Sequence, residues 1–354
     1  MKVPGVTFPR PRLERTLVRS AQFLLEKVGA GELYVKALSP EGAIVLMYHG
    51  LVRPSDEGQV DPRSSVTERA FERQMRFLSE HRQVIAMSDL VDRMQRGARI
   101  APGTVVITFD DGYKSTLDVA APILHRYDLP AIVYLLTGYV SRAESQFVDV
   151  LYSAFKLRSR HHLSLPREGI DVPNLHAPGV AARVFGEIEQ RLLSSDLTER
   201  ELLLSEVLAQ LRPRKGMPRL TLNWQEVDRL RRQYPRFELG VHTRNHIDLT
   251  RCSVDVAERE VAGSIEDLSR EAGLTPLHFS FPFGRSNADA RAVVTRTELR
   301  SAAVTDPATL VRAGTDFFAI PRLEAPSDMR LFRLYTSGAY PGLSLMLLGR
   351  TCEY

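Results

Sequence analysis

The chain has 354 residues, 44% of them hydrophobic and 25% charged, with a formal net charge of +4. That balance is typical of a soluble globular protein with one large α/β domain or two ordinary ones. No basic stripe interleaved with aromatics argues for nucleic acid, and no window approaches the roughly 18 apolar residues of a membrane span. The two cysteines, Cys252 and Cys352, stand far apart in no metal-like spacing, which excludes a disulfide framework and points to a reducing compartment. The first thirty residues are basic but lack an uninterrupted apolar run. They do not read as a signal peptide, so a cytoplasmic protein is expected.

In chain order, an arginine-rich helix is expected over about 11–28, followed by a short buried strand in "GAIVLMYHG" that ends at Tyr48 and His49. "SSVTERAFERQMRFLSEH" places Phe71, Met75 and Leu78 at helical spacing, with Ser or Thr as N-cap. A strand around "QVIAM", a helix from Ser88 and a strand from Thr104 to Phe109 follow. "STLDVAAPILHRYDLP" then reads as a helix closed by Pro130, and "AIVYLLTG" as a buried strand. Residues 141–220 differ in character: "VDVLYSAFKLRSRHHLSL" and "LTERELLLSEVLAQLRPRKG" read as amphipathic helices around a loop, with sparse strand patterns. Alternation then resumes: helix "NWQEVDRLRRQYP", strand "FELGVH", helix "SVDVAEREVAGSIEDLSREAG", strand end "HFSFPFG", helix "NADARAVVTRTEL", and strands "SAAVT" and "FFAIPR". Strands alternating with helices predict a parallel sheet covered on both faces, either a barrel or a doubly wound sheet. The tail "SGAYPGLSLMLLGR" reads as a last helix packed on the core, with a surface-lying segment as the alternative.

In either architecture the reactive groups gather beyond the C-terminal ends of the strands. The polar residues there are few: His49, Asp110 with Asp111, His242 with His246, the "PFGR" stretch and Arg322. "HTRNH" offers two imidazoles four residues apart, which on a helical turn would face one side and suit a divalent cation. With a carboxylate as third ligand they make a site with open positions for water and substrate. The paired aspartates of "TFDDGY" then divide the work. One binds the cation, relieving the repulsion between two buried carboxylates; the other stays free to take a proton from water acidified there.

"TFDDGY" and "HTRNH" together resemble the first two motifs of the polysaccharide deacetylase family, the family-four carbohydrate esterases that share the chitooligosaccharide-deacetylase homology domain. "FSFPFG" resembles its third. The resemblance covers roughly residues 42–140 and 220–325. It implies a distorted (β/α) barrel that removes acetyl groups from N-acetylated sugars by metal-assisted hydrolysis. By the same resemblance Asp110 is the general base, Asp111, His242 and His246 bind the metal, and the backbone amide of Phe283 stabilises the oxyanion. Three departures stand out: Ser280 occupies the position of the third motif's usual arginine, no late "LxH" histidine follows "AVT", and no tryptophan lies in the last third. The deacetylases of bacterial surface-adhesin polysaccharides are similar in a permuted motif order, with the histidine on an N-terminal "MYH" strand. Here "LMYHG" makes His49 the expected general acid, and Arg322 of "AIPR" is expected to orient Asp110 and keep it ionised.

The expected organisation is an N-terminal helical extension (1–40), a barrel built from 41–140 and 221–325, a helical insertion (141–220) and a C-terminal tail (326–354). Two nitrogens and a carboxylate suit zinc first, with cobalt, nickel or iron as alternatives. Tyr113 is expected to line the pocket and Trp224 is a stacking residue or, more simply, packing. His161 and His162 read as solvated, and His278 as a satisfied core or edge histidine. The expected partner is a glycan, polymeric or lipid-linked, in exopolysaccharide or O-antigen assembly. The basic balance and apolar tail would fit peripheral contact with the inner membrane face. Deformylation of a lipid-linked amino sugar, or hydrolysis of another amide, is the alternative chemistry, and a non-catalytic glycan-binding protein the alternative class.

Overall fold

The computed structural model describes residues 41–338, apart from 57, 59, 215 and 307–309. The expected N-terminal helix and the "GLSLMLLGR" part of the tail lie outside the described residues. The first strands are β1 (Ala43–Tyr48), β2 (Gly50–Val52) and β3 (Ser65–Thr67), and helix α1 (Glu68–His81) follows. Next come β4 (Gln83–Val84), α2 (Met87–Gln95) and β5 (Thr104–Phe109), then a π-helical turn (Thr116–Ala120) running into α3 (Ala121–Arg126). Pro122 supplies no N–H at the start of α3, and the turn before it is widened accordingly. β6 (Ala131–Leu135) leads to α4 (Thr137–Arg142) and α5 (Phe147–Leu157). The hairpin β7 (Leu163–Leu165) and β8 (Ile170–Val172) precedes α6 (Val180–Ser194) and α7 (Leu197–Leu211). The chain closes with α8 (Trp224–Gln233), β9 (Phe237–Val241), α9 (Val254–Ala272), β10 (His278–Ser280), α10 (Ala288–Thr295), β11 (Ser301–Thr305), β12 (Ile320–Glu324) and α11 (Met329–Thr336).

Seven parallel strands close into a ring in the order β1-β12-β11-β10-β9-β6-β5, and β5 returns to β1 over its whole length, Ala43↔Thr104 to Tyr48↔Phe109. The two-residue β4 fills the lower half of the β5 edge, where β6 has not yet joined. This is the barrel branch of the sequence expectation. It follows from strands such as "AIVLMY" and "TVVITF" being buried along their entire length. A parallel strand covered on both faces carries little polar alternation.

Alternate residues take opposite duties. Leu46, Tyr48, Ile107 and Phe109 pack outward on the helices, with Tyr48 stacked on Phe109 at 5.4 Å between ring centroids. Val45, Val106, Ile132 and Ile320 face the other way, onto Met87, Leu90 and Met94 of α2, which closes the N-terminal end of the barrel. Glu238 of β9 caps that helix by accepting from the backbone N–H of Met87 and Ser88. His278 sits beside it, its ring nitrogens 2.9 and 2.8 Å from Ser88 Oγ and Ser301 Oγ, the satisfied core histidine the sequence suggested.

Between β6 and β9 the sequence reading needs correction. "HLSL" is not the end of a helix but strand β7, paired antiparallel with β8. The stretch taken as loop contains the fifteen-residue helix α6. Its glycine N-cap, Gly179 at φ +77°, and the interior Gly186 mute the helix pattern in the sequence. α5, α6, α7 and the hairpin bury a core of their own, centred on Phe147, Leu151, Val184, Ile188, Leu203 and Val207. The two ends of this segment are tied by Ser145, whose Oγ accepts from Leu220 N–H and donates to the Pro218 carbonyl.

Candidate metal and catalytic site

The loops after β1, β5, β9 and β10 and the end of β12 meet at the C-terminal rim. The chain turns sharply after Asp110, where Asp111 and Gly112 both adopt left-handed backbone, φ 69° and 66°. Aspartate tolerates that conformation better than most residues. Gly112 is required on two counts, since a Cβ there would also lie 2.9 Å from Leu135 Cδ2.

Asp110 turns inward and is 2% exposed. Arg322, 1% exposed, meets it with both guanidinium arms, Nη1 to Oδ1 and Nη2 to Oδ2, each at 2.7 Å. Nη2 also donates to Ser280 Oγ at 2.7 Å and Nη1 to Thr108 Oγ1 at 3.1 Å. The serine in the arginine position of the third motif is thereby explained: its short side chain leaves room for a guanidinium arriving from β12. Burial pushes the Asp110 carboxyl up, but the charge of Arg322 and its hydrogen bonds outweigh it and hold the group well below the usual carboxylate range.

Asp111 has different company. Its Oδ1 lies 3.5 Å from His242 Nε2 and 3.7 Å from His246 Nε2, and is buried without a hydrogen-bond partner. One ligand atom from each of these three residues falls within 4.8 Å of the others, which fits a single cation. His242 donates from Nδ1–H to the Ser280 carbonyl at 2.7 Å, so Nε2 keeps its lone pair. Burial drives the His246 imidazole down to about 3, against the pull of Asp111, leaving it neutral as a ligand must be.

The "HTRNH" stretch is not a helical turn, contrary to the sequence reading. Thr243 and His246 have φ of 67° and 54°, and the segment is a bent loop. Its middle residues anchor it to α9. Arg244 forks onto Asp267, 2.8 Å on each arm, and Glu260 accepts from the backbone N–H of Arg244 and Asn245. Four of the seven non-glycine residues with positive φ among those described are Asp111, Thr243, His246 and Phe283, all at this rim. Strain of that kind persists only where surrounding contacts over-determine the backbone.

His49 follows β1, whose Tyr48↔Phe109 register sets it beside Asp110. It is partly exposed and opens onto a cleft of about 410 Å³ that also borders Arg63, Ser65, Glu324 and Ser327. Phe283 (φ 59°) lays its ring 4.4 Å from the His246 imidazole between centroids. Tyr113 is 3% exposed; its hydroxyl donates to Asp149 at 3.2 Å and accepts from Gln146 at 2.7 Å, a buried role rather than a wall position. Trp224 begins α8 and packs on the core, with its indole N–H donating to Ser141 Oγ at 3.0 Å. Sequence reasoning missed Gln146, Arg200, Arg244 and Glu260. Gln146, Arg200 and Glu260 have no local motif, and Arg244 lies inside "HTRNH" without a signal of its own; only their contacts across the chain reveal them.

A family model described as polysaccharide deacetylase matches residues 98–177 and 194–302. Among solved structures, the deacetylase PplD of Streptococcus pyogenes, in complex with acetate, aligns at a TM-score of 0.55 and 16% identity, covering 84% of this chain and 99% of that one. IcaB from Ammonifex degensii aligns at 0.54 and 14%, covering 84% and 98%. At these identities the likeness is one of fold. No curated protein matched the sequence.

Proposed function

Because the chain belongs to the polysaccharide deacetylase family, we propose that it is a metal-dependent hydrolase removing N-acetyl groups from amino-sugar residues of a polysaccharide or lipid-linked glycan. The observation that carries the reading is the unequal treatment of two neighbouring carboxylates: Asp110 is clamped by Arg322, whereas Asp111 Oδ1 is buried, unpartnered and faced by two imidazole nitrogens. Asp111, His242 and His246 hold one divalent cation, zinc being the best match to the donor set. When bound, such a cation polarises an acyl carbonyl and acidifies water.

The chain's own residues do the rest. Asp110, kept ionised by Arg322, takes the proton from water as the oxygen attacks the acetyl carbon. The Phe283 backbone N–H meets the oxygen on which negative charge develops. His49 gives a proton to the nitrogen as the C–N bond breaks, and acetate and a free amine leave. The cleft beside His49 provides room for neighbouring sugar units. A role in exopolysaccharide or O-antigen assembly at the inner membrane face is consistent with the basic balance of the chain. No helix among the described residues is long and apolar enough to cross a membrane.

The test pairs metal analysis of the purified protein with acetate release from N-acetylated oligosaccharides, before and after chelation. Near-stoichiometric metal and chelator-sensitive acetate release are expected. Stoichiometric metal without acetate would move the proposal to another acyl group. A protein that neither holds nor responds to divalent cations would overturn it.

A further inference from the structure

The metal ligands all belong to the barrel, but their supports do not. Gln146 precedes α5 in the segment between β6 and β9, and its side chain is 3% exposed. Its Nε2 donates one hydrogen to Asp111 Oδ2 at 2.9 Å and the other to Tyr113 Oη at 2.7 Å; Tyr113 in turn donates to Asp149 Oδ1 at 3.2 Å. The amide cannot be turned round, because Oε1 would then face a carboxylate oxygen, acceptor against acceptor. Oδ2 of Asp111 is therefore occupied, which matches Oδ1 being the oxygen without a partner.

A second support comes from the same segment. Arg200 of α7, 2% exposed, donates from Nη1 to the carbonyls of Asn245 and His246 at 2.9 and 3.3 Å, and stacks 4.1 Å over the Phe147 ring. It thus restrains the bent loop that delivers His246.

We infer that Gln146 is a positioning residue that confines Asp111 to one-oxygen ligation through Oδ1, so that the segment between β6 and β9 sets the cation affinity of a site whose ligands lie on the barrel. The inference rests on the proposed metal site. Carboxylate ligands without their outer hydrogen bonds typically lose about 10–100-fold in metal affinity.

The experiment uses the full chain, stripped of metal, with Zn²⁺ affinity read by competition against a chromophoric chelator. Gln146→Met keeps length and apolar bulk but removes the amide. Expected are an unchanged far-UV spectrum, a 10–100-fold weaker Zn²⁺ affinity, and a changed visible spectrum of the Co²⁺-loaded protein as Oδ2 becomes free to ligate. Should Gln146→Met not fold, Tyr113→Phe decides. It removes the hydroxyl that anchors Gln146 and is expected to weaken Zn²⁺ by several-fold in the same direction. Affinities within twofold of the parent, with an unchanged Co²⁺ spectrum, would overturn the inference while leaving the metal site intact. A parent chain that binds no Zn²⁺ would instead overturn the metal-site reading on which it stands.

Discussion

Replacing Arg322 with Met tests the core of the proposed mechanism, because Arg322 touches Asp110 and none of the expected metal ligands. The pair is buried on both sides, side-chain exposures being 0% and 3%, and doubly bonded at 2.7 Å. Removing one member leaves a carboxylate with the Ser280 Oγ hydrogen bond, at 3.3 Å, and the His242 imidazole 4.0 Å away. Truncating a buried pair costs about 3–5 kcal/mol while the remaining charge persists, which for a chain of this size lowers the melting temperature by roughly 4–7 °C. The carboxyl has a cheaper course, which is to take up a proton. Burial is the largest influence on its pKa and acts upward; without Arg322 that influence prevails. A protonated Asp110 cannot accept the proton of water, so kcat/KM near neutral pH should fall by about 10²–10⁴-fold, the usual worth of a general base. The acid limb of the pH–rate profile should move toward neutrality, and part of the loss should return at alkaline pH. Arg322→Lys keeps the charge without the fork and should fall between the two. The assay is acetate release across pH, with metal content measured alongside. An Arg322→Met protein with parental kcat/KM and an unmoved acid limb would refute the assignment of Arg322 and weaken that of Asp110.

Asp110→Asn should abolish turnover yet leave metal content at the parental level, whereas His246→Ala should lower metal affinity by at least tenfold; equal effects of both on metal binding would contradict the division of labour. His49→Ala should retain metal and fold but lose about 10²-fold or more in kcat, and a fully active variant would remove His49 as proton donor. His278 makes a pH prediction distant from the metal ligands. Burial, aided by the charge of Arg300, lowers its imidazole to about 3, so the folded state disfavours the proton that the unfolded chain takes up below about 6.5. The stability from keeping it neutral is complete above that value and is lost as pH falls toward 3, at about 1.4 kcal/mol per unit. Urea unfolding of the metal-free protein at pH 7 and pH 5 should show the parent losing more stability than His278→Gln; an equal loss would mean that His278 is not held neutral.

The barrel strands and the polar residues at their ends were legible because both are written locally. A buried parallel strand is a run of β-branched residues, and the next polar residue is at the rim. What was not legible depends on contacts between distant parts of the chain. "HTRNH" has the spacing of a helical turn, but Glu260 and Asp267, on a helix more than a dozen residues away, bind its interior and hold Thr243 and His246 at positive φ. Tertiary hydrogen bonds outweigh the local preference there. α6 is hidden by its two glycines, and Gln146 by being one glutamine among polar neighbours.

The adjacent aspartates combine both cases. Their sequence says that two carboxylates share a strand end, and electrostatics says that both cannot be buried alike. The charge argument alone does not tell which one is the ligand and which the base, since either order satisfies it; only the family resemblance of "TFDDGY" orders them. The proposed assignment is supported by partners that arrive from β12 on one side and from α5's N-terminal edge on the other: a guanidinium fork that supplies two charged donors to Asp110, and a neutral amide that takes one oxygen of Asp111 and leaves the other open. A fixed positive partner suits a base that must stay ionised with no cation of its own. A neutral donor suits a ligand whose charge is to be matched by a metal.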